Sequence, residues 1–520
     1  MPTPLAQGLG QSSSPTFGGR PTGPMPSSLL LLFAPLEVLF PIELSTLLAV
    51  AYAVLVAALC LFIIVDSRTP SKALAYVLLV VALPLVGAIF YLSVGINYRK
   101  RKIYRKKLDI DERTYPELLQ RAIGYTQQVR AQQGAELAHF APLAQQLAGV
   151  CLLSQGNRTH LLCNGESKFP EVLAALEAAQ HHIHLEYYIF NDDGIGRRIA
   201  DVLMRKAREG VQVRFIYDDY GSASLRRGLG KELLAAGVEA FPFRRIRLLF
   251  LANGMNYRNH RKIIVVDGRV GFVGGINVSD KYINANGPGL YWRDEHLRID
   301  GPAVLSLQHI FLTDWNFCSG LRIAFNEAHF PLSVDAMPGE VVQVVSSGPD
   351  SDHPDILYAL VQAVMLSRTH IRITTPYFIP DKSLLDALCI AVRSGVTVDL
   401  LVPGISDSWI VNTTSRSYYS ELLAVGVRIH AYRKGFVHAK TAVFDGRVAM
   451  VGTANLDHRS FDLNFEVNAF VYNAARAAQL AAEFDRDLQD ADLIDPEQWA
   501  RRPVLQRVAE RVLHLFGALM

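Results

Sequence analysis

The sequence predicts an α/β protein of two duplicated lobes, each a mixed sheet flanked by helices, preceded by a transmembrane hairpin of two helices. The first observation is a repeat: "NHRKIIVVDGRVGFVGGIN", from residue 259, returns as "VHAKTAVFDGRVAMVGTAN", from residue 437. The second is that strand-like and helix-like segments alternate in both halves. The third is a pair of long apolar runs ahead of both halves.

Composition sets the broad class. A chain of 520 residues is too long for one ordinary core, so two or more domains are expected. Hydrophobic content of 50% with only 19% charged residues favours a membrane-associated protein. The five cysteines are scattered, odd in number and without a C-x-x-C pattern. We therefore expect reduced thiols facing the cytoplasm, and neither a disulfide framework nor a zinc site.

The N-terminal region predicts a membrane anchor. Residues 1–43 are rich in Pro, Gly and Ser, which is typical of disorder. Residues 44–65 and 73–98 are uncharged runs, each long enough to cross a bilayer, which takes about 20 residues. A buried core helix is the alternative for either run, but two in tandem favour a membrane hairpin over 44–98. A cleaved signal peptide is disfavoured because no basic segment directly precedes the first run.

The basic run "RKRKIYRKK", residues 99–107, predicts the orientation. It opens a basic juxtamembrane linker, residues 99–145, and the positive-inside rule keeps such clusters on the cytoplasmic side. Beside a membrane it should attract anionic head groups, at about 1 kcal/mol per basic residue. A solvated charge run without that role is the alternative. The rest of the chain is expected on the cytoplasmic side.

The body contains a duplication, with lobes at residues 146–335 and 336–495. "HIHLEYYIF" is echoed by "HIRITTPYF", "GVQVRFIYD" by "GVTVDLLVP", and "AAGVEAFPF" by "AVGVRIHAY". Each echo pairs a β-rich segment with one that stands in the same order in the other half. Strand–helix–strand alternation indicates largely parallel strands within each sheet. The repeat is far longer than a solenoid unit, so we expect two globular lobes.

Each copy of the repeated motif brings together groups that suit a phosphate. A histidine and a lysine two residues apart share one face of a strand. An aspartate at a "DG" turn, glycines that allow close backbone approach to a ligand, and an asparagine follow. A hairpin copied by gene duplication explains the valines and glycines but leaves the polar residues unexplained. The candidate residues are His260, Lys262, Asp267, Gly274, Gly275 and Asn277 in the first copy, and His438, Lys440, Asp445, Gly452 and Asn455 in the second.

The pattern H-x-K-x4-D-x6-G-x-x-N, present twice, resembles the phospholipase D superfamily. From about residue 44 almost to the end, the chain is similar to bacterial cardiolipin synthases. The resemblance departs at Thr453, where the family usually has serine, but the hydroxyl is retained. The segments that carry it are "NYRNHRKIIVVDG", "GFVGGINVSDKY", "YWRDEHLRIDGPAV", "TTPYFIPD", "TSRSYYSELLAVGV" and "NLDHRSFDLNFEVN".

The resemblance implies covalent catalysis through a phosphohistidine, with no metal or organic cofactor. His260 would attack phosphorus and His438 would act as general acid and base. The lysines and asparagines of the two motifs would hold the phosphoryl oxygens. Asp294 and Glu466 would each orient a histidine from behind, the alternative being ordinary exposed carboxylates. Asp267 and Asp445 complete the two catalytic sets, although we expect them mainly to organise their turns.

The implied reaction transfers a phosphatidyl group between two phosphatidylglycerol molecules, giving cardiolipin and glycerol. The partners would be membrane phospholipids, in the cytoplasmic membrane of a bacterium, and the protein would be multi-pass. Two rivals stay open: a phospholipase D-type hydrolase of phospholipid, and a non-catalytic membrane scaffold. A nucleic-acid substrate is disfavoured by the membrane hairpin and by the absence of a basic, aromatic-interleaved tract in the soluble part.

The C-terminal segment, residues 496–520, is predicted to be an amphipathic helix. Its apolar residues recur at helical spacing, with Arg507 and Arg511 among the other positions. Such a helix can pack on the body or lie in a membrane interface. The sequence leaves both open.

Overall fold

The computed structural model describes residues 44–67, 70–92, 139–147, 151–243, 257–286, 289–321, 323, 328–331 and 339–517. The disorder predicted for residues 1–43 and the basic run at 99–107 lie outside these ranges. The chain divides into two compact units, residues 1–59 and 60–520. The described part of the first unit is the beginning of the first helix.

The helices alternate with strands along the body, as the sequence predicts. They are α1 Leu44–Asp66, α2 Pro70–Ala82, α3 Pro84–Phe90, α4 Ala141–Leu147, α5 Asn164–Glu177, α6 Gly194–Arg208, α7 Leu229–Ala235, α8 Val304–Ser319, α9 Asp355–Leu366, α10 Lys382–Arg393, α11 Trp409–Val425, α12 His458–Asp462, α13 Ala474–Leu488, α14 Pro496–Ala500 and α15 Val504–His514. Short 3₁₀ turns cover Ala223–Arg227, Asp280–Tyr282 and Asn284–Asn286.

The strands of the two halves correspond one to one over most of their length. They are β1 Leu153–Cys163, β2 His182–Tyr187, β3 Gln212–Tyr217, β4 Glu239–Pro242, β5 Lys262–Val266, β6 Val270–Gly274, β7 Tyr291–Arg293, β8 Glu295–Asp300, β9 Glu340–Ser347, β10 His370–Thr374, β11 Phe378–Ile379, β12 Thr397–Pro403, β13 Arg428–Tyr432, β14 Gly435–Val437, β15 Thr441–Phe444, β16 Val448–Gly452, β17 Leu456–Asp457, β18 Glu466–Tyr472 and β19 Ala491–Leu493.

Across the described residues, fifteen of these strands form one sheet, in the order β19-β13-β12-β10-β15-β16-β18-β9-β1-β8-β6-β5-β2-β3-β4. The duplication is visible in this order, because the first half reads outward from β1 as the second reads outward from β9. The halves join edge to edge through the antiparallel β1–β9 pair, with Leu153 opposite Gln343. The two lobes therefore share one sheet.

The expectation of largely parallel sheets is wrong, and the mixed sheets of the predicted fold class are present. Among the described strands of the fifteen-stranded sheet, only β2-β3-β4 and β10-β12-β13 run parallel. In each half the motif strand returns antiparallel beside the first parallel strand, β5 beside β2 and β15 beside β10. The "DG" turn then joins β5 to β6 and β15 to β16 as antiparallel neighbours, since so short a turn cannot make a parallel crossover.

The motif strands β5, β6, β15 and β16 are buried on both faces of the sheet, and their side chains are mostly apolar. In β5, Ile264 and Val266 face the core beneath α5 and α6, whereas Ile263 and Val265 face a core that spans both halves. The spanning core also contains Val443 of β15. The halves are thus held together by shared apolar packing as well as by the β1–β9 pair.

The described end of the predicted linker belongs to the second half. Phe140, Leu143 and Leu147, on and just before α4, are buried in the core that contains Ile371 of β10. His139 Nε2 contacts the carbonyl oxygen of Leu366. The fold therefore includes residues 139–145, which the sequence assigned to the linker. Residues 99–138 lie outside the described ranges.

The second apolar run is not one helix. The structure breaks it at Leu83, whose φ is −137°, because Pro84 cannot supply the N–H that a continuous helix needs. A Cβ on Gly87 would lie 2.6 Å from Cα of Val80, so α3 folds closely back on α2. Residues 93–98 lie outside the described ranges. Within those ranges, one helix, α1, is long and apolar enough to cross a membrane.

Candidate active site

Each histidine of the repeated motif lies on a backbone segment that pairs with the opposite half. His260 N–H donates to the Phe465 carbonyl at 3.0 Å, and Phe465 N–H donates to the Arg258 carbonyl at 2.9 Å. In the same way β14 pairs with β7, and His438 N–H donates to the Arg293 carbonyl at 2.7 Å. The two motifs therefore meet between the halves, at the carboxyl ends of the parallel strands.

This pairing places each predicted acid behind the histidine of the other half. His260 Nδ1 lies 3.0 Å from both carboxylate oxygens of Glu466. His438 Nδ1 lies 2.6 Å from Asp294 Oδ2. All four side chains are buried. An acid at Nδ1 leaves Nε2 of each imidazole for the reacting atom, which is the contact that an orienting role requires.

The two lysines supply positive charge in the same place. Lys262 Nζ donates to the His260 carbonyl at 2.6 Å, and Lys440 Nζ donates to the His438 carbonyl. Burial lowers the pKa of Lys262 to about 7 and that of Lys440 to about 8. Each lysine also lowers the pKa of the other half's histidine, so the four groups form one electrostatic unit.

The two acids behind the histidines, Asp294 and Glu466, differ in proton affinity. Burial raises the pKa of Asp294 to about 6. Burial also opposes ionisation of Glu466, but His260 and Lys262 more than offset it, so the pKa of Glu466 lies below its usual value. Thr453 Oγ1 donates to Glu466 at 2.5 Å, which also favours the carboxylate. Thr453 stands where the family usually has serine. Its hydroxyl stabilises the Glu466 carboxylate that contacts His260.

Both histidines are neutral near pH 7, because the pKa of each lies below its ordinary value. Burial lowers the pKa of His260, and burial with the nearby Lys440 and Lys262 lowers that of His438 well below its usual value. A neutral imidazole that donates Nδ1–H to a carboxylate carries a free lone pair on Nε2. The arrangement is therefore suited to nucleophilic attack by one ring and to proton transfer by the other.

Asp267 and Asp445 lie at the turns after the motif strands, away from the histidines and lysines. The Asp267 carboxylate accepts the backbone N–H groups of Gln180, His181 and His182 just before and at the start of β2. Asp445 accepts the corresponding N–H groups before β10, from Arg368, Thr369 and His370, and the Thr369 hydroxyl. Each aspartate lies beyond its motif strand, at the far end from the histidine and lysine. The turn-organising role is the one that these contacts support.

The motif glycines approach protein atoms closely, where the sequence suggested close approach to a ligand. A Cβ on Gly275 would lie 2.1 Å from Asp294 Oδ1, and one on Gly452 would lie 1.9 Å from Asn468 Oδ1. Gly274 has φ +153° and its Cβ would meet the His296 backbone. Gly275 thus makes room for the carboxylate that contacts His438.

The side-chain amides of the two motif asparagines differ in their hydrogen bonds to other protein groups. Asn277 Oδ1 accepts the Ile189 N–H at 3.1 Å, and its Nδ2 donates to the Tyr282 hydroxyl at 2.8 Å. The buried Asn455 Oδ1 has no hydrogen-bond partner among the described residues. The phosphate-binding role of Asn277 and Asn455 stays a prediction. The Asn277 amide already makes hydrogen bonds through both Oδ1 and Nδ2.

Aromatic side chains that the sequence did not single out pack beside both histidines. The Tyr188 ring lies 5.0 Å from the His260 ring, and the rings of Trp292 and Phe436 lie 5.5 and 5.7 Å from that of His438. Lys281 Nζ lies 4.0 Å from the centre of the Trp292 ring. A signal for Lys281 was present, because it follows Asn277 by four residues as Arg459 follows Asn455.

One group of side chains among the described residues could hold a metal ion. Ligand atoms of Cys163, Glu295 and Glu483 lie within 4.8 Å of one another. The Arg293 guanidinium already contacts Glu295 at 2.6 Å and Glu483 at 3.6 Å, so the carboxylates have a cation between them. This group does not include a residue of either motif.

Removing the charge behind either histidine is expected to lower turnover about 10- to 100-fold, the usual cost of losing an orienting partner. Glu466→Gln and Asp294→Asn keep the size of the side chain but no longer accept Nδ1–H as an anion. Asp399→Asn is the matched control, because Asp399 is also a buried acid paired with a histidine, His430, at 2.8 Å. Turnover is measured at saturating substrate. An Asp399→Asn loss as large as the other two would show that the effect is general destabilisation.

Comparison with known proteins agrees with this geometry. The family model "Cardiolipin synthase, PLD-like domain" matches residues 172–299 and 360–488, and "Phospholipase D-nuclease N-terminal" matches residues 54–95. The chain is 43% identical to the cardiolipin synthase of Geobacillus kaustophilus, over 89% of this chain and 91% of that protein. It is 40% identical to the cardiolipin synthase of Alkalihalophilus pseudofirmus, over 91% and 94% of the two chains.

Among solved structures, the phosphatidylserine synthase of Haemophilus influenzae shares the fold. Its TM-score is 0.56 at 14% identity, and the match covers 73% of this chain and 99% of that one. Two copies of the family's domain, together with relatives of about 40% identity along nearly the whole chain, show the relationship. The chain belongs to the cardiolipin synthase family of the phospholipase D superfamily.

Proposed function

We propose that this chain is a membrane-bound phosphatidyltransferase that makes cardiolipin from two molecules of phosphatidylglycerol. The observation that carries the proposal is the crossed pair of histidine–carboxylate contacts, His260 with Glu466 and His438 with Asp294. Two imidazoles that present Nε2 from opposite halves suit an in-line displacement, which needs one group on each side of phosphorus. The names of the relatives support the same reaction.

In the first step, His260 Nε2 attacks phosphorus of the donor lipid, and the bond from phosphorus to the glycerol head-group oxygen breaks. His438 Nε2–H gives its proton to that oxygen, so free glycerol leaves. The pKa of His438 is low in the free enzyme. The bound phosphodiester brings a negative charge beside His438 and raises that pKa. Lys262 and Lys440 balance the charge on the phosphoryl oxygens.

In the second step, the terminal hydroxyl of another phosphatidylglycerol gives its proton to His438 Nε2 and its oxygen attacks phosphorus. The bond from phosphorus to His260 breaks and cardiolipin leaves, with both histidines back in their starting states. His260 is assigned as nucleophile by resemblance to family members in which the histidine of the first half attacks. Glu466 and Asp294 each contact Nδ1 of one imidazole, which leaves both Nε2 atoms for the reacting groups.

We further propose that α1 anchors the chain in a bacterial membrane, with the body on the cytoplasmic side. The apolar side chains of α1 support insertion, since most of them are exposed. The Tyr91 hydroxyl donates to Asp66 Oδ2 at 3.1 Å, so the described part of the second apolar run returns to the end of α1 beside which it begins and does not reach the Leu44 end, as a two-helix hairpin would. The basic run at 99–107 favours the cytoplasmic side.

The test is to reconstitute the full chain with phosphatidylglycerol whose head-group glycerol is labelled, and to separate the lipids. We expect cardiolipin and free glycerol in equal amounts. Phosphatidic acid as the main product would contradict the proposal. It would show that the protein is a phospholipase D-type hydrolase, because water would then be the second nucleophile. Turnover of neither kind, with correctly folded protein, would favour a scaffold. The His260→Ala/His438→Ala double variant provides the background.

A further inference from the structure

The C-terminal helix α15 packs on the body through its polar side. Among its residues, Glu510 is the buried one, with 1% of its surface exposed. Glu510 accepts hydrogen bonds from Arg502 at 2.7 and 3.0 Å and from Gln506 at 3.2 Å. His514 Nδ1 lies 2.8 Å from the Ser417 hydroxyl of α11. Polar contacts therefore hold α15 against α11.

The opposite side of α15 is apolar and exposed. At 100° per residue, the exposed large apolar side chains of α15, with Leu515 just after it, fall within a stripe about 100° wide, centred nearly opposite Glu510. Leu505 is 84% exposed, and the others are at least half as exposed. A surface helix of a globular protein normally turns such a stripe inward. The stripe consists of Val504, Leu505, Val508, Val512 and Leu515.

Two arginines border this stripe on one side. Arg507 and Arg511 are exposed, and they line the same open groove, of about 840 Å³, as the apolar residues. Within the part of the chain that the structure describes, neither guanidinium is paired with a carboxylate. Apolar side chains flanked by unneutralised cations match a surface that is apolar below and negatively charged above.

We infer that the exposed stripe of α15 is a docking surface for the anionic face of a phospholipid bilayer, with the apolar side chains inserted at the level of the acyl chains. The charge next to the stripe favours an anionic bilayer as the partner. When the apolar side chains are inserted, Arg507 and Arg511 at the edge of the stripe would lie at the level of the lipid phosphates. Long arginine side chains reach the head groups while their stems cover apolar surface. The polar contacts of Glu510 and His514 then fix the body's orientation on the membrane.

The experiment places p-benzoylphenylalanine, a photo-crosslinking residue, at position 505 of the full chain in nanodiscs of phosphatidylglycerol and phosphatidylcholine. Irradiation is followed by mass spectrometry of the peptide that contains residue 505. We expect a covalent lipid adduct. The matched control carries the same residue at Leu234, which is 56% exposed on α7 and has no place in the proposed surface.

Charge dependence provides the second arm. Arg507→Gln is expected to lower the adduct yield roughly five-fold, and Arg511→Gln by a similar factor, when each cation contributes as it does near an anionic surface. Pure phosphatidylcholine nanodiscs should lower the wild-type yield in the same way. Thermal unfolding of both variants shows that the anchor at Glu510 is intact.

Three results would overturn the inference. One is a yield at position 505 no higher than at position 234. Another is crosslinking of residue 505 to a second copy of the chain in place of lipid, which would make the stripe a protein interface. The third is a lipid adduct whose yield does not change between anionic and zwitterionic bilayers. The wild-type comparison decides the question even where an arginine variant fails to fold.

Discussion

His260→Ala and His438→Ala are each expected to lower cardiolipin formation by at least about 10,000-fold, the scale of losing one member of a catalytic unit. In the proposed mechanism both imidazoles are needed with a natural substrate, because one forms the bond to phosphorus and the other protonates glycerol. The readout is turnover of phosphatidylglycerol by the reconstituted full chain. Substantial cardiolipin formation by either variant would contradict a shared two-histidine site.

A substrate with a good leaving group separates the two roles. Phosphatidyl p-nitrophenol releases a phenolate that needs no proton, so the general acid becomes dispensable in the first step. We expect His438→Ala to form the phosphatidyl-enzyme from this substrate and to accumulate it on residue 260, because the second step lacks its base. His260→Ala should form none. An adduct on residue 438 of His260→Ala would reverse the assignment.

His430→Ala is the matched control for both variants. His430 is buried and contacts Asp399 at 2.8 Å, so it reproduces the histidine–acid pair of the site. It lies on β13 and contacts neither motif histidine. We expect this variant to be less stable but to retain its turnover per folded molecule. A loss comparable to that of His260→Ala would mean that buried histidines act through stability.

Lys262→Met and Lys440→Met are expected to lower turnover about 100- to 1,000-fold each, the range for removing one charge-stabilising donor from a buried site. Methionine has about the same length and removes the charge that the proposed mechanism places at the phosphoryl oxygens. Lys206→Met is the matched control, since Lys206 is also buried and donates to a backbone carbonyl, that of Ala179 at 3.2 Å. It should retain turnover.

The same lysines predict an alkaline limb in the pH profile. Burial lowers the pKa of Lys262 to about 7 and of Lys440 to about 8, so in the free enzyme each is charged below that pH and neutral above it. Catalysis needs the charged form, so kcat/KM should fall as the pH rises through 7 to 8. A profile of kcat/KM that stays flat up to pH 10 would show that these charges do not bind the phosphate.

By itself, the sequence determined the repeated groups, the order of the elements and the family. A histidine and a lysine two residues apart must share a strand face, and two copies with equal spacing predict two related halves. It also identified Asp294 and Glu466, because they stand at similar places in each half. These inferences depend on local geometry, which residue spacing specifies.

Only the tertiary structure decided which acid serves which histidine. Asp294 contacts His438 and Glu466 contacts His260, because each histidine segment pairs with a backbone segment of the other half. Likewise the structure places Asp267 and Asp445 in contact with backbone N–H groups before β2 and β10, and the apolar stripe of α15 faces outward although its spacing fits either direction. Each outcome depends on contacts between residues distant in sequence. Spacing along the chain carries no information about such contacts, since it shows which side chains share a face but not what packs against that face.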